Sequence, residues 1–360
     1  MEAVVEKPSM PDYGPARLTV ELTNVCNLHC SYCLRDEDAL YHSPANFFPV
    51  ELFARVASQA HECMGIKHVM FTGGEPTIHP DFAKIIGAVA GQGLQCSFVT
   101  NGWHFDRVWP LLQAHRETVT HVSFSLDGVT RESHDRWRGA GSFDRVVRAF
   151  SRCWANKFPF HVKIGIRRDT VPQLEQIALF AARMGAASLS FAHIMPTSAE
   201  IDGTSALTLA ERAEAEREIA MLARIFKIRI GIDVGYYNID PAAPCSALAG
   251  VSANVNYRGH LSLCCNLSGF RGANADQDVV ADLNREDFAT AFAHLQVVAE
   301  AQAKHRVQVL AALATEGSEP DLMTGSPCLW CLNTFGKTPW LKLPENINDR
   351  SLPVLSGAPR

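Results

Sequence analysis

Short runs rich in β-branched and aromatic residues recur at a pitch of about thirty residues between positions 17 and 200. They are RLTVEL (17–22), HVMFT (68–72), CSFVT (96–100), HVSFSL (121–126), HVKIGI (161–166) and SLSFA (188–192). Between them the apolar positions change to helical spacing, as in PVELFARVASQAHECM, PDFAKIIGAVAGQ, SFDRVVRAFSRCWANK and VPQLEQIALFAARM. Strands alternating with helices imply a parallel sheet with right-handed crossovers. Six units in series predict an α/β fold, a full or partial (β/α)6 TIM-like barrel. A long helix follows in TLAERAEAEREIAMLARIF, where Thr208 and Glu211 have the spacing of a capping box. IRIGID (228–233) reads as a further strand. From DPAAPC onward the composition shifts to Pro, Gly, Ser and Asn with cysteines, which places a boundary near residue 235. The expected organisation is an N-terminal extension (1–15), a barrel (16–234), a small cysteine-rich domain (235–342) and a loosely packed tail (343–360).

The 360 residues carry a net charge of −5, with 47% hydrophobic and 20% charged residues, an ordinary globular balance without the basic footprint of a nucleic-acid binder. The first residues lack a positive start and an apolar stretch, so no signal peptide is expected, and no apolar run reaches membrane-spanning length. A soluble cytoplasmic protein is the expectation. Eleven cysteines, an odd number, argue against a disulfide framework. Cys26, Cys30 and Cys33 cluster early; Cys245, Cys264, Cys265, Cys328 and Cys331 fall late. Cys63, Cys96 and Cys153 stand alone and read as small buried hydrophobes.

The early cluster has C-x3-C-x2-C spacing just after the first strand. Structural zinc prefers paired C-x2-C knuckles with four ligands. Three thiolates with no fourth ligand nearby suit a cubane iron–sulfur cluster with one iron left open. After the second strand comes FTGGEPTIHP (71–80). Gly73 and Gly74 clear side chains for a close approach to a ligand, Glu75 supplies a carboxylate and Pro76 stiffens the turn.

Together these motifs resemble the radical S-adenosylmethionine (radical SAM) enzymes. The resemblance implies that Cys26, Cys30 and Cys33 hold a [4Fe-4S] cluster whose open iron binds the amino nitrogen and carboxylate of S-adenosylmethionine. Gly73, Gly74, Glu75 and Pro76 then match the motif that holds the methionine amino group, and Tyr32 the aromatic residue near adenine. TNG (100–102) and SLDG (125–128) end the third and fourth strands, so Thr100, Asn101, Ser125 and Asp127 are candidate contacts, often to the ribose. Asn-Gly and Asp-Gly are also turn dipeptides on their own account. All four positions lie at carboxyl ends of strands, where parallel α/β folds bind ligands. The family's chemistry is reductive cleavage of S-adenosylmethionine to a 5′-deoxyadenosyl radical that abstracts hydrogen from a substrate.

The late cysteines resemble the SPASM region in its shorter twitch form. Cys245, Gly259 and Cys264 match the C-x(n)-G-x4-C half, and Cys328 and Cys331 form a C-x2-C pair. The resemblance implies one auxiliary [4Fe-4S] cluster on Cys245, Cys264, Cys328 and Cys331, able to take or relay an electron or to hold the fold. A four-thiolate zinc site is the alternative. GHLSLCC reads as a short strand whose adjacent residues face opposite sides, so Cys264 serves the cluster and Cys265 is a packed thiol.

No catalytic base stands out. His134, Asp135 and Arg138 in HDRWRG (134–139) read as a structural network or as cavity wall. Arg167, Arg168 and His193 follow strands five and six, where an arginine aimed inward could bind a carboxylate. The resemblance points to a peptide substrate, with a small metabolite such as a sugar or aminocyclitol as the alternative. The short stretch before Cys26 leaves little room for a peptide-binding winged helix. A donor such as flavodoxin or ferredoxin would supply electrons. A different class of function is a non-catalytic iron–sulfur electron carrier.

Overall fold

The computed structural model describes residues 16–35, 38–241, 243–270 and 276–341. The expected extension (1–15) and tail (343–360) lie outside them.

Strands and helices alternate through the first two thirds of the chain: β1 (Arg17–Glu21), α1 (Val50–Met64), β2 (His68–Thr72), α2 (Phe82–Gly91), β3 (Gln95–Thr100), α3 (Phe105–Ala114), β4 (Val119–Leu126), α4 (Arg131–Arg138), α5 (Ser142–Ala155), β5 (Phe160–Ile166), α6 (Leu174–Arg183), β6 (Ser188–His193), α7 (Ala199–Thr204), α8 (Leu209–Ile225) and β7 (Arg229–Val234). The remainder comprises β8 (Ser252–Val255), β9 (His260–Ser262), β10 (Val279–Asp282), α9 (Phe288–Thr315), α10 (Leu322–Gly325) and α11 (Pro327–Thr334). The expected capping box forms at α8: Glu211 N–H donates to Thr208 Oγ1 and Thr208 N–H to Glu211 Oε2.

One open sheet runs β10-β9-β8-β1-β2-β3-β4-β5-β6-β7. The seven strands β1 to β7 are parallel neighbours in chain order. The eighth strand returns from the C-terminal region to pair parallel with β1, with Leu18 opposite Ala253. The cysteine-rich region is therefore an extension of the barrel sheet at its β1 edge, which local sequence pattern did not reveal.

Alternation along the strands separates two environments. Leu18, Val20, Val69, Phe71, Phe98, Phe124, Val162, Leu189 and Phe191 are buried against the helices. Phe124 sits at the centre of that layer, with ring centroids 5.0 Å from Phe105 and 5.2 Å from Phe150. Each such side chain stabilises the fold by ~1.5–3 kcal/mol through burial. The other face, which lines the bore, is polar: Glu21, Ser97, Ser123, Lys163 and Asn254 lie on it. At its N-terminal end the imidazoles of His68, His121 and His161 stack, with centroids 5.9 Å and 4.0 Å apart. Burial, then the adjacent imidazoles and the cations Lys163 and Arg229, hold His121 down to about 3, and burial with Arg229 and Lys163 holds His161 to about 4, so both are neutral at pH 7.

The three solitary cysteines divide. Cys96 and Cys153 are buried as expected, but Cys63 is exposed, because it falls on the outer face of α1.

Candidate functional site

The cysteine loop and the glycine turn are one structural unit. The Thr23 carbonyl accepts from Gly74 N–H and the Val25 carbonyl from Glu75 N–H, both at 2.8 Å. A Cβ on Gly74 would lie 2.1 Å from the Val25 oxygen, and one on Gly73 would lie 2.6 Å from the Thr23 oxygen. Gly73 also has φ +124°, in the region that favours glycine. In the fold these glycines clear room for the backbone that leads into Cys26, which ties the two motifs together.

Glu75 is buried and its carboxylate is saturated. Its Oε1 accepts from Thr77 Oγ1 (2.6 Å), Thr77 N–H (3.2 Å) and Thr100 Oγ1 (2.8 Å), and its Oε2 from Asn101 N–H (2.8 Å). It therefore joins the ends of β2 and β3. Burial pushes its pKa up against those hydrogen bonds. Pro76 opens the short 3-10 turn that Glu75 caps. The Asn101 side chain reaches back to the cysteine loop, Nδ2 to Asn27 Oδ1 at 3.0 Å, and accepts from Trp103 N–H. Asn27, which sequence reasoning passed over, keeps a buried Nδ2 without a hydrogen-bond partner.

Tyr32 and Asp127 meet on the opposite side of the loop. The Tyr32 hydroxyl donates to Asp127 Oδ2, Arg138 Nε pairs with the same carboxylate, and Arg167 Nη1 lies 2.6 Å from Oδ1. Arg138 Nη2 donates to the Tyr32 oxygen at 2.8 Å. The Arg167 guanidinium stacks 4.2 Å over Trp137 and 5.0 Å over Tyr32. Burial raises the Asp127 carboxyl, but Arg138 and Arg167 outweigh it and hold it at about 2. Burial pushes the Tyr32 hydroxyl well above its usual range, so it stays a donor. His134 accepts Asp127 N–H at 3.1 Å, and Asp135 caps α5 through Gly141 and Phe143 N–H. Ser125 stands half-buried on β4, paired in register with Lys163. Arg168 pairs with Glu211 at the surface, and His193 Nε2 lies 3.0 Å from Glu216.

Cys26 lies in the field of Glu75 and Cys30 in that of Arg138 and Asp127, and Cys33 N–H closes a turn on the Cys30 carbonyl (3.0 Å). Burial, with Glu75 and the other two thiols adding to it, pushes Cys26 up to about 12. Among the described residues, no three His, Cys, Asp or Glu side chains stand close enough to hold a single metal ion. The donor set of three soft thiols suits an iron–sulfur cluster. The unpartnered amide of Asn27 suits a polar ligand beside it, so these residues fit a cluster with S-adenosylmethionine.

The late cysteines are also brought together. Cys328 lies in the electrostatic field of Cys245 and Cys265, Cys331 in that of Cys245 and Cys328, and Cys264 in that of Cys265 and Cys328. The strand argument about Cys264 and Cys265 does not hold. β9 ends at Ser262, both cysteines fall in the following turn, and their thiols hydrogen-bond each other. Cys264 Sγ accepts from Asn266 N–H and Cys328 Sγ from Gly235 N–H, both at 3.4 Å.

Arg35 joins the two cysteine groups. It pairs with buried Glu21 (3.2 Å), donates to the Ser268 carbonyl and forms an isolated bridge to Phe270. Glu21 in turn accepts from Asn254 of β8 at 3.1 Å. A cavity of about 20 Å³ marks this seam, lined by Glu21, Arg35, Gly73, Gly74, Tyr257 and Gly269 among others. A larger groove of about 510 Å³ runs along α8 and is lined by none of the cysteines.

Residues 20–181 match the Radical SAM superfamily. Mycofactocin maturase MftC of Mycobacterium tuberculosis is 30% identical over 245 residues, 66% of this chain and 59% of that protein. The PqqA peptide cyclase of Gluconobacter oxydans is 27% identical over 237 residues, 64% of either chain. An AdoMet-dependent heme synthase of Oleidesulfovibrio alaskensis is 28% identical over 195 residues, 52% of this chain and 48% of that one. The chain thus spans less than two thirds of the length of these relatives. Among solved structures, Streptococcus suis SuiB bound to precursor peptide SuiA superposes with a TM-score of 0.63 at 14% identity, over 77% of this chain and 64% of that one. The enzyme anSMEcpe with bound AdoMet and a peptide gives 0.62 at 17% identity, over 81% and 83%. No described helix is long and apolar enough to cross a membrane. With the cysteine loop, the glycine turn and the fold in agreement, residues 20–181 are identified as a radical SAM domain, and the fold is that shared with SuiB and anSMEcpe.

Proposed function

We propose that this chain is an enzyme that cleaves S-adenosylmethionine reductively and removes hydrogen from a peptide substrate during peptide maturation. The observation that carries the reading is the backbone lock between the Gly73–Gly74 turn and the segment leading into Cys26. It supports the reading by joining the cysteine loop and the glycine turn at the carboxyl ends of adjacent strands. When bound, the cluster and S-adenosylmethionine supply a 5′-deoxyadenosyl radical that abstracts hydrogen from the substrate. Cys26, Cys30 and Cys33 hold that cluster. Gly73 and Gly74 give the backbone its approach, and Glu75 braces it from behind. Asn27 and Asn101 offer amide groups at the rim, Tyr32 a ring face fixed by Asp127 and Arg138, and Ser125 a hydroxyl above them. Within the bore the Lys163–Asp233 pair is about one-third exposed on each side, placed for the polar backbone or charged end of a substrate. Cys245, Cys264, Cys328 and Cys331 hold one auxiliary cluster, and a flavodoxin- or ferredoxin-type protein supplies the electron.

Peptide modification is supported by relatives named as a maturase and a peptide cyclase. A small metabolite is the second reading, favoured by the relative named for heme synthesis. The test is anaerobic reconstitution followed by iron analysis and incubation with S-adenosylmethionine and dithionite. About eight irons per chain and formation of 5′-deoxyadenosine are expected. Cys26→Ala with Cys30→Ala abolishes the product, whereas Cys328→Ala leaves the first cluster in place. A fully iron-loaded protein that forms no 5′-deoxyadenosine would instead be an electron carrier.

A further inference from the structure

Two arginines are buried beside the late cysteines, and neither has a carboxylate in contact. Arg212 of α8 is 1% exposed, and Arg306 of α9 is 4% exposed. The Arg212 guanidinium donates to the carbonyls of Leu207 (3.2 Å) and Gly235 (2.7 Å). Arg306 donates to the carbonyls of Thr324 (3.0 Å), Gly325 (3.2 Å) and Asn238. Among the described residues neither is within ion-pair distance of an acid. Glu216 and Asp202 act on Arg212 only at longer range, and Glu216 is engaged with His193 and Tyr237 N–H.

Burying a cation without a counter-ion costs several kcal/mol. The fold therefore calls for negative charge close by: thiols supply most of it at Arg306, whereas Arg212 has Glu216 first and then Cys328. Arg306 acts on Cys245, Cys328 and Cys331, and Arg212 on Cys328. Both also hold the segments that carry these thiols. Gly235, whose carbonyl Arg212 grips, donates its N–H to Cys328 Sγ. Thr324 and Gly325, gripped by Arg306, lie just before the turn of α11 that bears Cys328. The first site is different: Arg138 and Arg167 share Asp127, Arg167 also meets Asp169 at 3.1 Å, and Glu75 lies buried near Cys26. Arg35, between the two sites, is matched by Glu21.

We infer that Arg212 and Arg306 are positioning residues that raise the reduction potential of the auxiliary cluster above that of the first, so that electrons run from the first site or the substrate toward the second. This rests on the assignment of a cluster to Cys245, Cys264, Cys328 and Cys331. A four-thiolate cluster is anionic and becomes more so when reduced, so a buried cation favours the reduced form. Potentials of such clusters follow local charge and hydrogen bonds to sulfur. The pair, neither member of which is in contact with a carboxylate, thus acts on one cluster and not the other.

The test is a redox titration of the reconstituted holoenzyme followed by electron paramagnetic resonance. It is repeated in the Cys26→Ala, Cys30→Ala background, where only auxiliary signals remain. The auxiliary midpoint is expected above that of the first cluster. Arg306→Gln and Arg212→Gln each lower it by at least tenfold in the reduction equilibrium, about 59 mV for one electron, and leave the first cluster's midpoint in place. Arg306→Lys keeps the charge and most of the potential. An auxiliary midpoint below the first cluster's in the unmodified protein overturns the inference without any variant. So does an unchanged midpoint in a Gln variant that retains about four irons in that background. Absence of those irons from the background protein sinks the cluster assignment itself, and the inference with it.

Discussion

Asp127→Asn is expected to destabilise the protein by about 3–5 kcal/mol, a large share of the 5–15 kcal/mol typical of a folded domain. The carboxylate is buried and is the shared partner of Arg138, Arg167 and the Tyr32 hydroxyl. An amide keeps the shape, removes the charge and leaves one acceptor oxygen where Arg138 and Arg167 had two. Urea denaturation at pH 7 reads the loss as a lower midpoint. The pH dependence gives a second readout. The Asp127 carboxyl is held at about 2, below its ordinary value of 3.8. Its contribution, ~2 kcal/mol, is present above pH 4 and lost as pH falls from about 4 to 2. The variant lacks that limb of the stability curve. Removing one cation as well, in Asp127→Asn with Arg138→Met, should recover part of the loss. Equal midpoints for wild type and Asp127→Asn would show that the cluster does not hold the rim together.

Gly74→Ala is expected to remove the first cluster while sparing the second. Its new methyl would meet the Val25 carbonyl at 2.1 Å. Close-packed backbone cannot absorb that, so the segment leading into Cys26 must retreat by about 1 Å, at a cost of roughly 1–3 kcal/mol. The two 2.8 Å hydrogen bonds from Gly74 and Glu75 to that segment break with it. Iron content should fall from about eight to about four per chain, and 5′-deoxyadenosine should disappear. Full iron loading with normal turnover would mean the lock between the motifs is dispensable.

Much of this was legible in the chain. The strands at 68–72, 121–126 and 161–166 follow from alternation and β-branched content, and their βα order leaves few topologies. The cysteine and glycine motifs were visible because each is local and lies at a strand end. Contacts between distant segments were not visible. Glu21 meets Asn254 across more than two hundred residues, and that contact, with β8 on β1, sets the C-terminal region against the barrel. Alternation alone marks Glu21 as an acid facing the bore, but not its partners. The same limit hid Arg212 and Arg306, which look like ordinary helix-surface arginines. The pleat argument that separated Cys264 from Cys265 does not apply, because the strand stops at Ser262. The hydrogen bonds of Glu75 to Thr100 and Asn101 were hidden because those donors come from the next strand.

The central claim is that the three early thiols hold a cluster with an iron left open for S-adenosylmethionine. The most direct measurement is the electron paramagnetic resonance spectrum of the reduced first cluster in a Cys328→Ala, Cys331→Ala protein, recorded with and without S-adenosylmethionine. A clear change of g-values on addition is predicted. An identical spectrum at saturating S-adenosylmethionine would contradict the account.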